Sequence, residues 1–126
     1  MGQDISSRND IHFIITEFYK KLIADENMLP FFETIVKEKH LEAHIETITD
    51  FWQDLLFHTS AYGENVLQKH LDFNKKVAFK KEHFSTWLSY LTTTIEVSFE
   101  GQNAQNMKDR AASIAMVMQV KMRLYD

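Results

Sequence analysis

The chain has 126 residues, a formal net charge of −4 and no cysteine. A chain of this length is typical of one domain with one core, and the acidic balance argues against a nucleic-acid partner. Without cysteine it cannot form disulfides, thiolate zinc sites, iron–sulfur clusters, a cysteine nucleophile or a thioether-linked haem.

No apolar run approaches the length of a membrane span, and residues 1–10 are polar without the apolar region of a signal peptide. We therefore expect a cytoplasmic protein with no membrane partner. The sequence has no internal repeat, low-complexity stretch or long linker, so we expect residues 1–126 to form a single domain.

The first predicted helix begins after Asn9 or Asp10, either of which suits an N-cap. Its apolar residues follow helical spacing: Ile11, Ile14, Ile15, Phe18 and Leu22. Tyr19 lies next to this stripe and borders the buried face. The run 25–27 ends the helix, and Pro30-Phe31-Phe32 predicts a short turn packed by its aromatic rings.

A longer helix is predicted from about His40 to His58. One stripe carries its apolar residues together with a histidine: Leu41, His44, Ile45, Ile48, Trp52 and Leu55. His40 and His44 are one turn apart, a spacing that can chelate zinc. We favour the plainer interpretation, because the segment lacks a glutamate after the first histidine and any third ligand that we can name.

The next segment is broken at 59–64, which includes Gly63, and then forms a short apolar turn at 66–71. The spacing of that turn places His70 on its inward face. The stretch 72–81 is rich in lysine and is predicted to be a solvated loop. It still carries Phe79 and two other apolar residues, which suit the edge of a bound ligand.

Two more helices complete the chain. The first has the stripe Phe84, Trp87, Leu88, Leu91 and Ile95 and ends near Gly101; the second has the stripe Met107, Ala111, Ile114, Ala115, Met118 and Met122. All of the periodicity is helical, so the sequence predicts one compact all-α unit.

Four of these stripes each include a residue with a polar group on the inward face, namely Tyr19, His44, His70 and Trp87. An unpaired buried polar group costs about 1 to 3 kcal/mol, so we expect them to share a site. An imidazole on a short packed helix is a common axial ligand of haem iron, and backbone carbonyls one turn before His70 can orient its second ring nitrogen. On the opposite face Tyr19, His44 and Trp87 can donate hydrogen bonds to dioxygen. We therefore predict non-covalent haem b, with iron held by His70.

The same residues resemble the truncated haemoglobins over nearly the whole chain. The motifs that carry this are Phe18-Tyr19, Pro30-Phe31-Phe32, His44 followed by Phe51-Trp52, Lys69-His70-Leu71, and Trp87. They are most similar to the third group of the family, which carries the proximal ligand in a Lys-His-Leu motif and lacks the glycine-glycine motifs of the other groups. The resemblance implies a globin-like fold, a shortened two-over-two helical sandwich.

The resemblance also implies roles for individual residues. His70 would be the proximal ligand, and Tyr19, His44 and Trp87 the distal residues. Phe32 would pack on the porphyrin, and Trp52 would brace the helix that carries His44. The family often has a proline-rich loop after the histidine-leucine, whereas this chain has Asp-Phe-Asn-Lys-Lys at 72–76, so no propionate contacts are predicted.

The full set of predicted haem contacts is Phe32, Leu41, His44, Ile45, Ile48, Lys69, His70, Phe79, Phe84, Trp87 and Met118. The predicted function is reversible binding of dioxygen or another diatomic ligand, at iron that is five-coordinate or gated by His44. Two alternatives stay open: a redox enzyme that turns over nitric oxide or peroxide at the same haem with an unidentified reductase, and a cofactor-free globin module. We expect a monomer or a weak oligomer.

Each site residue also has a plainer interpretation. Taken alone, His70 reads more readily as a satisfied core histidine than as a ligand, and His44 can pack or gate without touching a ligand. Tyr19 can simply form a hydrogen bond across the core. The methionine stripe that includes Met118 is most simply a flexible core filler.

Overall fold

The computed structural model describes residues 3–37, 39–58 and 80–121. Its elements, numbered here in chain order, are α1 (Arg8–Ala24), a 3₁₀ turn (Leu29–Phe31), α2 (Glu33–Lys37), α3 (Leu41–Phe57), α4 (Lys81–Ser98) and α5 (Gln102–Lys121). Within these ranges, extended pairing is limited to one isolated parallel bridge between Gln3 and Phe99. The all-α prediction is confirmed. None of the helices in the described ranges is both long enough and apolar enough to cross a membrane.

The N-cap of helix α1 lies two residues before Asn9 and three before Asp10, the two predicted positions. Ser7 caps it, with its Oγ accepting a hydrogen bond from the Asp10 backbone N–H at 3.3 Å. The Asp10 carboxylate reaches back to the N–H and hydroxyl of Ser6 at 2.9 and 3.1 Å. The prediction of Asn9 or Asp10 as N-cap is therefore wrong, because Asp10 acts from inside the first turn in an arrangement like a capping box.

The helices form two packed layers. Helix α1 packs against α3 and also against α4, while α5 packs against α4 and touches α3. The face of α1 that these contacts bury holds Ile11, Ile14, Ile15, Phe18, Tyr19 and Leu22. All of the apolar residues predicted for this stripe are therefore in the core, and Tyr19 lies inside it rather than at its border.

Helix α3 occupies the predicted span and is bounded by two left-handed residues. Lys39 precedes it and His58 follows it, each with φ of 59°. Its fully buried side chains include Trp52 and Thr49, whose hydroxyl donates to the Ile45 carbonyl at 2.7 Å. Hydrophobic periodicity did not mark Thr49 as a core residue, because threonine is polar. It can be buried because its hydroxyl is paired within its own helix.

Helix α4 begins at Lys81, so the predicted loop over 72–81 is one residue too long at its end. The predicted break at 59–64, the turn at 66–71 and the rest of that loop lie outside the described residues. The predicted end of this helix near Gly101 is close to the observed end at Ser98.

The N-terminus of α5 is capped by a residue from the start of the chain. The Asp4 carboxylate accepts hydrogen bonds from the backbone N–H groups of Asn103 and Ala104, both at 2.9 Å. Gly101 has φ of 145°, and a Cβ there would lie 2.4 Å from the Asp4 Cγ. Ile5, which follows Asp4 in the chain, is 1% exposed. The segment before α1 is thus fixed against α5, and the absence of a Cβ at Gly101 leaves space for the Asp4 side chain.

Candidate functional site

A partly buried polar pair joins α1 to α3. Tyr19 projects from α1 and is 5% exposed, and its Oη lies 2.8 Å from Nε2 of His44, near the start of α3. The two rings meet edge to face, with centroids 5.2 Å apart. The Tyr19 hydroxyl and the His44 imidazole are therefore joined by a direct hydrogen bond, whose direction depends on which ring nitrogen carries a proton.

Burial raises the pKa of the Tyr19 phenol well above its ordinary value, since desolvation disfavours the phenolate. The hydroxyl therefore keeps its proton at neutral pH. In the described part of the chain no buried side-chain nitrogen or oxygen lacks a hydrogen-bond partner. The pair is thus a satisfied polar element inside an apolar core, and it can pass a proton between oxygen and nitrogen.

Aromatic rings enclose this pair. Phe32, just after the 3₁₀ turn, meets Tyr19 edge to face with centroids 5.3 Å apart. Phe18 contacts Tyr19 at 5.4 Å on one side and Trp87 of α4 at 5.8 Å on the other. Phe32 and Trp87 are only partly buried, so aromatic surface remains open beside the polar pair.

The other predicted contacts that the structure describes fall into two adjoining clusters. Ile45 is buried in the main core with Tyr19, and Leu41 and Ile48 are partly buried against it. Phe84 and Met118 are buried in a second cluster with Ala115. Trp87 packs against both clusters, which makes the predicted set one continuous surface from α1 to α5.

The predicted proximal side lies outside the described residues. This applies to Lys69, His70 and Phe79, so the assignment of His70 as iron ligand stays a prediction. The structure brings together Tyr19 and His44 directly, with Trp87 joined to them through Phe18.

An ionic cluster on the outside of the molecule also joins α1 to α3. The Arg8 guanidinium donates to Asp50, to Gln53 and to Glu46, the last two at 2.7 Å. His12 Nε2 lies 3.0 Å from the other Glu46 oxygen. The hydrogen bond from Arg8 lowers the pKa of Glu46 below its ordinary value. This cluster, which we call the Arg8 clamp, holds together the two helices that carry the polar pair.

A second tyrosine forms a polar contact of a different kind. Tyr90 of α4 donates from Oη to Oδ2 of Asp25, the C-cap of α1, at 2.5 Å. This hydrogen bond lowers the pKa of Asp25 and raises the pKa of Tyr90. One turn further along α4, Thr94 accepts a hydrogen bond from Lys21 at 2.7 Å. These contacts fix α4, and with it Trp87, against α1.

The sequence did not predict two features that shape the site. Phe18 was placed in the core, but its position between Tyr19 and Trp87 depends on how α1 crosses α4. Arg8 was not singled out at all, because its carboxylate partners are about forty residues away. Its one sequence signal is the series Glu46, Asp50 and Gln53, which repeats at helical spacing on α3.

Comparison with solved structures identifies a close structural match. The crystal structure of a group III truncated hemoglobin from Campylobacter jejuni superposes with a TM-score of 0.86 and 24% sequence identity, and the match covers 100% of this chain and 97% of that one. No protein-family model matches the chain, and no curated protein matches it either. The chain therefore has the fold of a group III truncated haemoglobin, which confirms the predicted two-over-two globin architecture.

Proposed function

We propose that this chain is a haem-binding globin that reversibly binds dioxygen or another diatomic ligand. The observation that carries the proposal is the hydrogen bond of 2.8 Å between buried Tyr19 and partly buried His44, set among aromatic rings at the junction of α1 and α3. Apolar packing between α1 and α3 does not itself require a phenol and an imidazole at this junction. A small polar ligand that binds beside them gives both groups a role.

The described residues fit one face of a porphyrin. A porphyrin needs flat apolar walls and few polar groups, and the partly buried Phe32, Leu41, Ile48 and Trp87 offer such walls around a single polar pair. In this proposal His70 holds the iron from the other face. The described ranges do not include His70, so its role rests on the sequence resemblance.

Haem, when bound, would supply an iron that takes up a diatomic ligand. The residues of the chain determine how that ligand is received. If the Tyr19 hydroxyl donates to Nε2 of His44, its only proton is occupied. If Nε2 instead carries a proton and donates to Oη, the Tyr19 proton is free to turn toward the ligand. His44 thus sets the donor that Tyr19 presents, and the bulky rings of Phe32 and Trp87 limit the water that competes for it.

The test is an absorption titration of the purified chain with hemin. We expect stoichiometric uptake with a sharp Soret band, and an altered band or loss of uptake in His70→Ala. His40→Ala is the matched control, since His40 is an exposed histidine that is not assigned to the haem. A chain that stays colourless with hemin, or a His70→Ala spectrum identical to the unaltered protein, contradicts the proposal.

A redox reaction at the same haem is the second candidate. The observation that favours it over simple binding is that the Tyr19–His44 pair can exchange a proton, as peroxide chemistry requires. Turnover of peroxide or nitric oxide by the hemin-loaded chain with a supplied reductant distinguishes the two functions. A cytoplasmic location and a monomeric or weakly associating state remain sequence-based expectations within this proposal.

A further inference from the structure

We propose that Tyr19 and His44 form a redox-active pair, in which Tyr19 gives up one electron while its phenolic proton passes to His44. The oxygen and nitrogen are 2.8 Å apart, so the proton can cross without movement of either ring. The O–H bond of Tyr19 breaks and an N–H bond forms at Nε2. Tyr19 becomes a neutral tyrosyl radical, His44 becomes an imidazolium, and the electron leaves to an oxidant.

The surroundings of Tyr19 require the proton to leave together with the electron. A phenol that loses only an electron leaves a radical cation, which is costly to hold in a side chain that is 5% exposed and packed against Phe18 and Phe32. Tyr19 also cannot lose its proton before the electron at neutral pH, because burial raises the pKa of its phenol far above neutral pH. A base in direct hydrogen-bond contact removes both obstacles.

Tyr90 provides the comparison that shows why the partner matters. It also donates a hydrogen bond, but to the carboxylate of Asp25. A free carboxylic acid is about two to three pKa units more acidic than an imidazolium, so a carboxylate is the weaker proton acceptor. Tyr90 is also partly exposed, whereas Tyr19 is shielded from water and from reductants in solution. We therefore assign redox activity to Tyr19 and not to Tyr90.

In the cell the electron acceptor would be a bound haem that draws its oxidising power from a hydroperoxide. Reduction of a hydroperoxide, ROOH, to ROH and water takes two electrons and two protons. Bound haem would supply one electron and Tyr19 the other, while one proton would come from the His44 imidazolium as it returns to neutral imidazole and one from solvent. This choice of oxidant rests on the proposed function. The pair itself does not, since the contact between the phenol and the imidazole involves only side chains of this protein.

The experiment oxidises the full-length haem-free chain with photochemically generated tris(bipyridine)ruthenium(III), after circular dichroism has shown that each variant is helical. Electron paramagnetic resonance then detects tyrosyl radicals. Because the chain has four tyrosines, the experiment is run in a Tyr62→Phe/Tyr125→Phe background. We expect a radical in this background, its loss when Tyr19→Phe is added, and its retention when the matched control Tyr90→Phe is added instead.

His44→Gln tests the proton transfer itself, since glutamine can accept the hydrogen bond but is a far weaker base. The radical should then form at least about tenfold more slowly, because each pKa unit lost by the acceptor is a factor of ten in the proton-transfer equilibrium. Added imidazole should partly restore the rate of a His44→Gly variant. An unchanged rate in His44→Gln overturns the proposal.

A radical that persists unchanged in Tyr19→Phe overturns it as well. If that variant fails to fold, 3-fluorotyrosine placed at position 19 serves instead, and an unaltered line shape then contradicts the assignment. Failure of hemin to bind would refute the proposed function but leave this photochemical test intact, so the two failures are distinguishable.

Discussion

In the proposed function, retention of the bound ligand depends on the single proton of the Tyr19 hydroxyl. A donor to a partly charged ligand contributes about 1.5 to 3 kcal/mol, so Tyr19→Phe should speed oxygen release roughly ten- to a hundredfold. Stopped-flow measurement of the oxygen off-rate of the hemin-loaded chain checks this. Tyr90→Phe is the control, because it removes a hydroxyl at Asp25, away from the pair. An off-rate equal to that of the unaltered chain would exclude Tyr19 as the donor.

His44 gives a second residue-scale prediction. Since Nε2 must carry a proton before Tyr19 can donate elsewhere, His44→Leu should leave the Tyr19 hydroxyl without its buried partner and free to turn. We expect oxygen release to slow, the opposite direction from Tyr19→Phe, because the freed hydroxyl can donate to the ligand. A His44→Leu off-rate as fast as that of Tyr19→Phe would show that His44 itself is the main donor.

At this scale, sequence reasoning identified the polar residues but not their pairing. Tyr19 and His44 could be placed on buried stripes because helical periodicity marks faces. Their hydrogen bond joins positions 25 residues apart, and it depends on the crossing of two helices, which no local pattern encodes. The plainer interpretation of Tyr19, a hydrogen bond across the core, describes this contact correctly. It is compatible with the proposed role, since the same hydroxyl can change acceptor.

At the scale of elements, the Arg8 clamp ties the N-terminal half of α1 to α3. Isolated surface ion pairs contribute about 0.2 to 1 kcal/mol, and Arg8 joins three acceptors at once, so Arg8→Ala should lower the free energy of unfolding by about 1 to 2 kcal/mol. Urea unfolding measures this. Arg8→Lys should recover only part of the loss, because a point charge cannot replace the forked guanidinium. Full stability in Arg8→Ala would mean that the apolar α1–α3 contact suffices.

The Asp4 cap of α5 makes a prediction that depends on pH. Burial alone would raise the pKa of Asp4, but hydrogen bonds from backbone N–H groups, including those of Asn103, Ala104 and Ile5, outweigh it and lower the pKa below the ordinary value of 3.8. A group whose pKa is depressed in the folded state stabilises the fold above the unfolded pKa, and this contribution is lost as pH falls through the folded pKa.

Asp4→Asn should therefore be less stable than the unaltered chain near neutral pH, by about 0.3 to 1 kcal/mol for the lost negative charge at the N-terminus of α5, and the difference should shrink below about pH 4. Urea titrations at pH 7 and pH 3 check this. A gap between the two proteins that is as large at pH 3 as at pH 7 would show that the charge of Asp4 is not what stabilises α5.

The helices themselves were largely predictable, and their ends were less so. The span of α3 follows from its apolar period and was predicted to within a residue at each end. The start of α1 was missed because Ser7, Asn9 and Asp10 are all good capping residues, and the choice among them depends on the turn that Ser6 and Asp10 form. The cap at α5 could not be predicted, since Asp4 comes from the other end of the chain.

At the scale of the whole molecule, the partly buried rings of Phe32 and Trp87 leave apolar surface at the junction of the two layers. A ligand that covers it and binds only the folded chain adds RT ln(1 + [L]/Kd), about 2.7 kcal/mol at a hundredfold excess over Kd. We therefore expect hemin to raise the melting temperature by several degrees, with a smaller rise in His70→Ala. Equal melting temperatures with and without hemin would mean that the surface is not a haem face.

The fold as a whole could be inferred from the sequence because every periodic segment is helical and the motif order resembles one family. The individual contacts between the layers could not, since pairs such as Phe18 with Trp87 depend on the crossing angles of the helices. The residues predicted for the proximal side lie outside the described ranges. Their assignment therefore depends on the Lys-His-Leu motif alone.

The two left-handed residues around α3 carry a practical consequence. Lys39 and His58 each hold φ of 59°, a conformation that strains any side chain with a Cβ and that glycine adopts freely. Glycine at either position should relieve about 1 kcal/mol of backbone strain, offset in part by the greater freedom that it gives the unfolded chain. Both residues flank the helix that carries His44, and neither is part of the polar pair. Glycine at either position should therefore change the stability of α3 without changing the Tyr19–His44 contact.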